Sequence, residues 1–238
     1  MKMNNRNEHG IIFQGWGVVA VQNGTKTKTR RIIKPQPIFW SENCFHTWKG
    51  FDPIESHDDL ESLLIENCRY GKVGDGLWIK ETWNSDEPNL EYARAKHEDA
   101  MSDSPIFYRA DKENDNSGCQ WRSAMFMPRW ASRIDLTILT LQAELIQDIT
   151  DAEIIAEGVQ GNSPPERRVR FCNLWNEINL TPKPIYRKIN GKRKVVCYES
   201  YPFDTDDFNY PDRKTYRGKP LKVFPNPYVF VLGFEEKK

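Results

Sequence analysis

The sequence predicts a mixed α+β chain: a small, mostly antiparallel β-barrel with short flanking helices and two polar insertions. Three observations predict it. Short strand-like segments outnumber helical ones, and no strand–helix–strand rhythm is visible. Only 38% of the 238 residues are hydrophobic, with 15 Pro and 14 Gly, the composition of a modest core carrying long polar loops. Eight Trp and twelve Phe nonetheless exclude global disorder, because disordered chains are poor in aromatics. The expected organisation is a flexible tail over residues 1–10 and one domain over 11–238, with insertions at about 38–70 and 181–224.

Residues 11–22 are apolar without a decisive period and suit a short helix or a strand. Asn23-Gly24 stops that element. Residues 25–33 alternate and are rich in Thr, which suits a strand ending at Pro35-x-Pro37. One short helix is expected near 58–67. Gly74-Asp75-Gly76 reads as a turn, with Asp75 a turn residue, and 77–83 as a strand whose Trp78 belongs in the core. Residues 84–104 read as a loop or weak helix, 106–109 as a short strand, and 111–118 as a polar turn. Residues 132–146 are the clearest strand. Thr150 followed by Glu153 is a capping box, and the helix it opens stops at Gly158. Pro164-Pro165 opens a second helix with Val169, Phe171, Leu174, Trp175 and Ile178 at helical spacing. A hairpin is centred on Asn190-Gly191, and residues 228–234 form a closing strand.

The 34 Lys+Arg balance 34 Asp+Glu. Zero net charge excludes a uniformly basic nucleic-acid coat but leaves room for a local patch. No apolar run reaches the ~18 residues of a membrane span, and the polar N-terminus lacks the apolar stretch of a secretion signal. A cytoplasmic protein without membrane contact is expected. Its five Cys are odd in number and irregularly spaced, which suits reduced thiols rather than disulfides or zinc. No metal and no cofactor is predicted.

The main electrostatic feature lies within residues 22–37: Lys26, Lys28, Arg30, Arg31 and Lys34, with no acid. On a regular strand Lys26 and Thr29 face opposite ways. They share a side only if the alternation breaks between them. A solvated edge strand guarded by Lys suits the same residues.

Gly24-Thr25-Lys26-Thr27-Lys28-Thr29-Arg30-Arg31 resembles the signature of the ASCH domain, a member of the PUA-like β-barrel superfamily. Gly74-Asp75-x-Leu77-Trp78-Ile79-Lys80-Glu81-Thr82-Trp83 resembles that family's second barrel segment. Met127-Pro128-Arg129-Trp130-Ala131-Ser132-Arg133 resembles a segment typical of phage and prophage members, and Ala156-Glu157-Gly158 completes the order. The likeness covers roughly residues 11–34, 71–83, 105–180 and 227–235; the two insertions lie outside it. It implies binding of RNA, single-stranded nucleic acid or a modified nucleoside in a cleft beside the barrel. A small bacterial member removes the acetyl group of N4-acetylcytidine with a Lys, a Thr and a Glu, which match Lys26, Thr29 and Glu157 here.

That chemistry is physically sensible. A Thr hydroxyl is a poor nucleophile until a base takes its proton, and a Lys serves once burial or neighbouring cations favour its neutral form. Glu157 can protonate the departing amine or orient Lys26. It sits at the end of the capped helix, where the macrodipole disfavours a carboxylate by ~0.3–1 kcal/mol. Helix stability is therefore not its purpose; a solvated helix-end Glu is the bland alternative. Lys28, Arg30, Arg31 and Lys80 are candidate phosphate or oxyanion contacts. Trp83 and Trp130 are candidate stacking platforms, although tryptophans are more often core. Arg129 and Arg133 suit a basic rim or internal ion pairs equally. Three functions stay open: a nucleotide-binding module, an amidohydrolase of N-acylated nucleobases, and a phage accessory or interaction protein that kept the barrel without the site.

Overall fold

A computed structural model of the chain describes residues 7–39, 46–49, 54, 56–99, 106–111, 120–203 and 215–237. The architecture is mixed α+β. The strands are β1 (Glu8–Ile12), β2 (Lys28–Ile32), β3 (Ile38–Phe39), β4 (His46–Thr47), β5 (Gly76–Lys80), β6 (Trp83–Ser85), β7 (Ile106–Tyr108), β8 (Asp135–Leu145), β9 (Lys183–Ile189), β10 (Lys192–Ser200), β11 (Thr215–Tyr216), β12 (Lys219–Val223) and β13 (Tyr228–Glu236). The helices are α1 (Gly15–Gln22), α2 (His57–Glu66), α3 (Leu90–Glu98), α4 (Asp151–Ala156) and α5 (Pro164–Asn179).

One sheet runs in the order β1-β5-β8-β13-β2 and another in the order β11-β12-β10-β9, with β3-β4 and β6-β7 as separate pairs. Among the described residues the first order has two ends, β1 and β2, so no closing pairing is seen for the expected barrel. Most pairings are antiparallel; β1–β5 and β10–β12 are parallel. The chain divides into two compact units: Met1–Thr29, Glu66–Leu141 and Leu232–Lys238 form the first, and Arg30–Ile65 and Gln142–Val231 the second.

In the first unit, β1 begins at Glu8, inside the stretch read as a tail. The ambiguous 11–22 segment divides between the end of β1 and all of α1. Ile11, Phe13, Val18 and Val21 bury against Leu77, Ile79, Ile134, Leu136, Ile138, Leu232 and Phe234. Each such side chain contributes roughly 1.5–3 kcal/mol. Trp78 is only half-buried and lies over Gly10, where an added Cβ would come within 2.8 Å of the indole. Its expected core place goes instead to its neighbours Leu77 and Ile79, which face the other side of β5. The predicted 77–83 strand breaks at Glu81-Thr82. Residues 84–104 contain α3, capped by the Asn89 side chain. Most of the expected 111–118 turn, together with Cys44 and Cys119, lies outside the described residues.

In the second unit, α4 carries the predicted capping box. Ser163 and a proline in the first turn start α5. Phe171, Cys172 and Trp175 bury against Ile146, Ile149, Ile154, Val159, Val229 and Val231, whereas Val169 and Ile178 of the same predicted face are exposed. The β9–β10 hairpin turns at Asn190 (φ 50°) and Gly191 (φ 74°), the left-handed pair a two-residue hairpin loop requires. The 181–224 insertion is not all polar loop. Tyr201 and Phe203 are fully buried, and the Trp175 indole donates to the Tyr201 carbonyl at 2.9 Å.

Candidate functional site

Lys26 is positioned by the end of α1. Gly24 takes a φ of +69°, so the chain reverses. The backbone N–H groups of Thr25 and Lys26 then both donate to the Ala20 carbonyl, at 2.9 and 3.0 Å. Regular β2 starts only at Lys28. Lys26 and Thr29, three residues apart, are both 4% exposed, which two-residue alternation does not allow. The break required between them is present. The Lys26 ammonium lies 5.6 Å from the Phe13 ring centroid and 5.5 Å from that of Trp16, contacts worth ~0.5–2 kcal/mol each.

Trp16 also lines a cavity of about 420 Å³, shared with Gln14, Gly15, Val19, Glu81, Thr82, Arg109 and Ala110. The indole N–H of Trp16 donates to Gln14 Oε1 at 2.9 Å. Glu81, 2% exposed, forms part of the wall. Burial pushes its carboxyl above the ordinary range, and Arg133 opposes that shift. Arg133 grips it in a fork, Nε at 2.9 Å and Nη2 at 3.1 Å, and donates through Nη1 to Asp111 at 2.9 Å. The guanidinium stands 3.9 Å from the Tyr108 ring centroid. Arg133 is thus an internal ion pair, whereas Arg129, 39% exposed, is held at the surface by Glu8 and Asp135 at 2.9 Å each.

Trp83 is corrected by its surroundings. It is 1% exposed among Ile106, Tyr108, Met127 and Ala131, so it offers no face to a base. Trp130 meets it edge-on at 6.3 Å and has His97 5.9 Å away. Lys80 donates to the Met125 carbonyl at 2.6 Å. Lys80 and Arg129 both lie beside Trp78, 5.3 and 5.8 Å from the ring centroid. Lys28 is half-buried in the first unit and Arg31 half-buried in the second. Asp75 is a turn residue, its carboxylate accepting from the Lys72 N–H at 2.8 Å.

The second unit gathers three carboxylates around Arg30, whose side chain is 1% exposed. Its Nε and Nη2 donate to Glu144 Oε1 at 2.8 and 2.7 Å. Nη2 also reaches Glu153 at 2.9 Å, and Nη1 reaches Glu157 at 3.4 Å. Glu157 is the C-cap residue of α4. Gly158 N–H bonds back to Ile155 and Val159 N–H to Ile154, with Gly158 at φ +85°, the paired arrangement of a Schellman ending. That ending turns the Glu157 side chain inward, where it is 5% exposed rather than facing bulk water. Burial raises the Glu144 carboxyl above its ordinary value; Arg30 opposes this, and Glu153 and Asp148 reinforce it. Arg30, expected to hold a phosphate, has its guanidinium committed to three carboxylates instead.

Lys26 and Thr29 belong to the first unit and Glu157 to the second. The sequence reading missed Gln14, Trp16, Glu81, Arg109, Glu144 and Glu153 as site residues. A signal existed for Glu81, an acid ending an apolar strand run. None existed for Glu144, whose Arg30 partner is 114 residues away. Among the described residues no group of His, Cys, Asp or Glu is arranged to hold a metal ion, and no helix is long and apolar enough to cross a membrane. No protein-family model, no curated protein and no solved structure matches the chain.

Proposed function

We propose that this chain is a PUA-like, ASCH-type barrel domain that binds a nucleobase, in a nucleoside or an unpaired RNA or DNA strand, in the Trp16 cavity. The observation that carries the reading is a buried lysine ammonium lying over the tryptophan that lines a cavity of about 420 Å³, within the size range of small-molecule sites. A base stacked on Trp16 gains ~1–3 kcal/mol. Gln14, Glu81 and Thr82 supply an amide, a carboxylate and a hydroxyl for its edge. Lys28, in the same unit as the cavity, is the cation assigned to phosphate. Titration calorimetry with cytidine, N4-acetylcytidine and a short single-stranded RNA tests the proposal. Binding of at least one is expected, weakened tenfold or more by Trp16→Ala. Binding that is absent, or unchanged in that variant, overturns it.

The near-complete burial of Lys26 and Thr29 favours a second reading, hydrolysis of an N-acylated nucleobase. In that reaction Thr29 Oγ attacks the acyl carbonyl while Lys26 accepts its proton. The amine departs with the proton that Lys26 took from Thr29, and water then cleaves the acyl ester. Release of acetate from N4-acetylcytidine, lost in Lys26→Ala and in Thr29→Val, is the expected result. Equal rates with and without protein overturn this reading and leave the binding proposal standing.

A further inference from the structure

We propose that the β9–β10 hairpin is a duplex-DNA-binding ribbon. The proposal uses none of the cavity residues. Among the described residues β12 pairs with β10 only at Tyr198–Ser200, and β9 ends its sheet. The hairpin beyond Tyr198 is therefore a two-stranded ribbon extending roughly 17–20 Å at ~3.3 Å per residue. Arg187, Lys188, Lys192, Arg193 and Lys194 surround its turn, all exposed, with no acid between residues 184 and 198.

The register sets Lys194 opposite Arg187 and Arg193 opposite Lys188. Directly opposed residues share a face and successive residues alternate, so each face carries a like-charged pair. Such pairs destabilise a hairpin. Among the described residues none of these five cations joins an ion pair. Arg193 lies 4.0 Å from the Tyr186 ring centroid. Guarding an exposed edge needs one lysine; it does not call for repulsion on both faces. In a chain of zero net charge, residues 183–200 and 215–223 carry nine Lys and Arg against one Glu.

A flat anionic surface meets one face of a ribbon. The B-form major groove admits a two-stranded ribbon with phosphates on both walls, and the A-form major groove is too narrow for it. Cations on both faces therefore favour duplex DNA.

The test is fluorescence anisotropy of the full chain with a labelled 20-bp DNA duplex from 50 to 200 mM NaCl. Four phosphate contacts predict a log–log salt slope of roughly −3.6 and a weakening on the order of 10²-fold across that range. Changing Arg187, Lys188, Arg193 and Lys194 together to Gln should remove most of the slope with the circular dichroism spectrum unchanged. Arg187→Lys with Arg193→Lys should retain it, and Trp16→Ala should leave the duplex titration untouched while weakening nucleobase binding. The proposal is overturned by absent duplex binding at 50 mM NaCl, by an unchanged slope in the four-Gln protein, or by tighter binding to a 20-nucleotide single-stranded RNA or to phosphatidylserine vesicles.

Discussion

Each unit sets an arginine among acids, Arg30 fully buried and Arg133 partly, and the two arginines keep different company. Arg133 faces Glu81 through a planar two-bond fork and gives its remaining arm to Asp111. Arg30 faces Glu144, Glu153 and Glu157, and meets two of them through single contacts. The first cluster holds one cation against two acids and the second one cation against three. A fork fixes geometry, whereas a hub holds several elements at once: β8 through Glu144, the first turn of α4 through Glu153 and its last residue through Glu157. The hub holds the inward-facing Glu157 at a defined place.

The sharpest way to break the comparison is to remove each arginine. Arg30→Ala takes the guanidinium from three carboxylates and Arg133→Ala from two, and losing one partner of a buried pair costs ~3–5 kcal/mol. Urea unfolding should show both losses, with Arg30→Ala the larger; the reverse order would mean that the hub is not held as described.

Proton uptake sharpens the contrast next. Glu81 and Glu144 both have folded pKa values raised above the ordinary 4.5, by burial first. The folded state therefore binds more protons than the unfolded chain in the window just above pH 4.5, and these two groups make stability fall as pH rises through it. Glu81→Gln should flatten that decline in the urea midpoint, at a fixed loss of ~1–3 kcal/mol from the weakened Arg133 fork. Glu144→Gln should flatten it as well, and a decline unchanged in both variants would sink the assignment.

Two smaller effects test the scaffold. Thr150→Ala removes the cap of α4 and should cost ~0.5–2 kcal/mol. It should also raise the mobility of Glu153, read as faster amide exchange at the start of α4. Arg94→Ala breaks the exposed pair with Glu98, a 2.8 Å contact on α3. It should change the unfolding free energy by less than ~0.5 kcal/mol; a larger loss would show that exposed pairs matter here as much as buried ones.

The elements legible beforehand are those with local causes. The helix at 58–67, the capping box at Thr150, the stop at Gly158 and the hairpin at Asn190-Gly191 each depend on bonds within a few residues, and each was found there. Trp78 and Trp83 show where that legibility ends. Both are tryptophans in one run, yet Trp83 enters a core with Tyr108 and Met127 while Trp78 stays half-buried over a glycine. The strand breaks at Glu81-Thr82, and no local signal sets the faces on either side of it. The β-branched and apolar pattern also named β8 and β13 as strands, but sheet order depends on partners far along the chain.

By itself, the sequence determined the local turns and caps and the strands β8 and β13, and it marked Lys26, Thr29 and Glu157 as residues needing an explanation. Tertiary structure decided their surroundings. Lys26 gained two aromatic rings, Arg30 gained three acids, and Glu157 turned inward at a helix end. The physical reason is range: a cap or a turn is a contact within four residues, whereas burial and charge pairing join side chains from ten to more than a hundred residues apart.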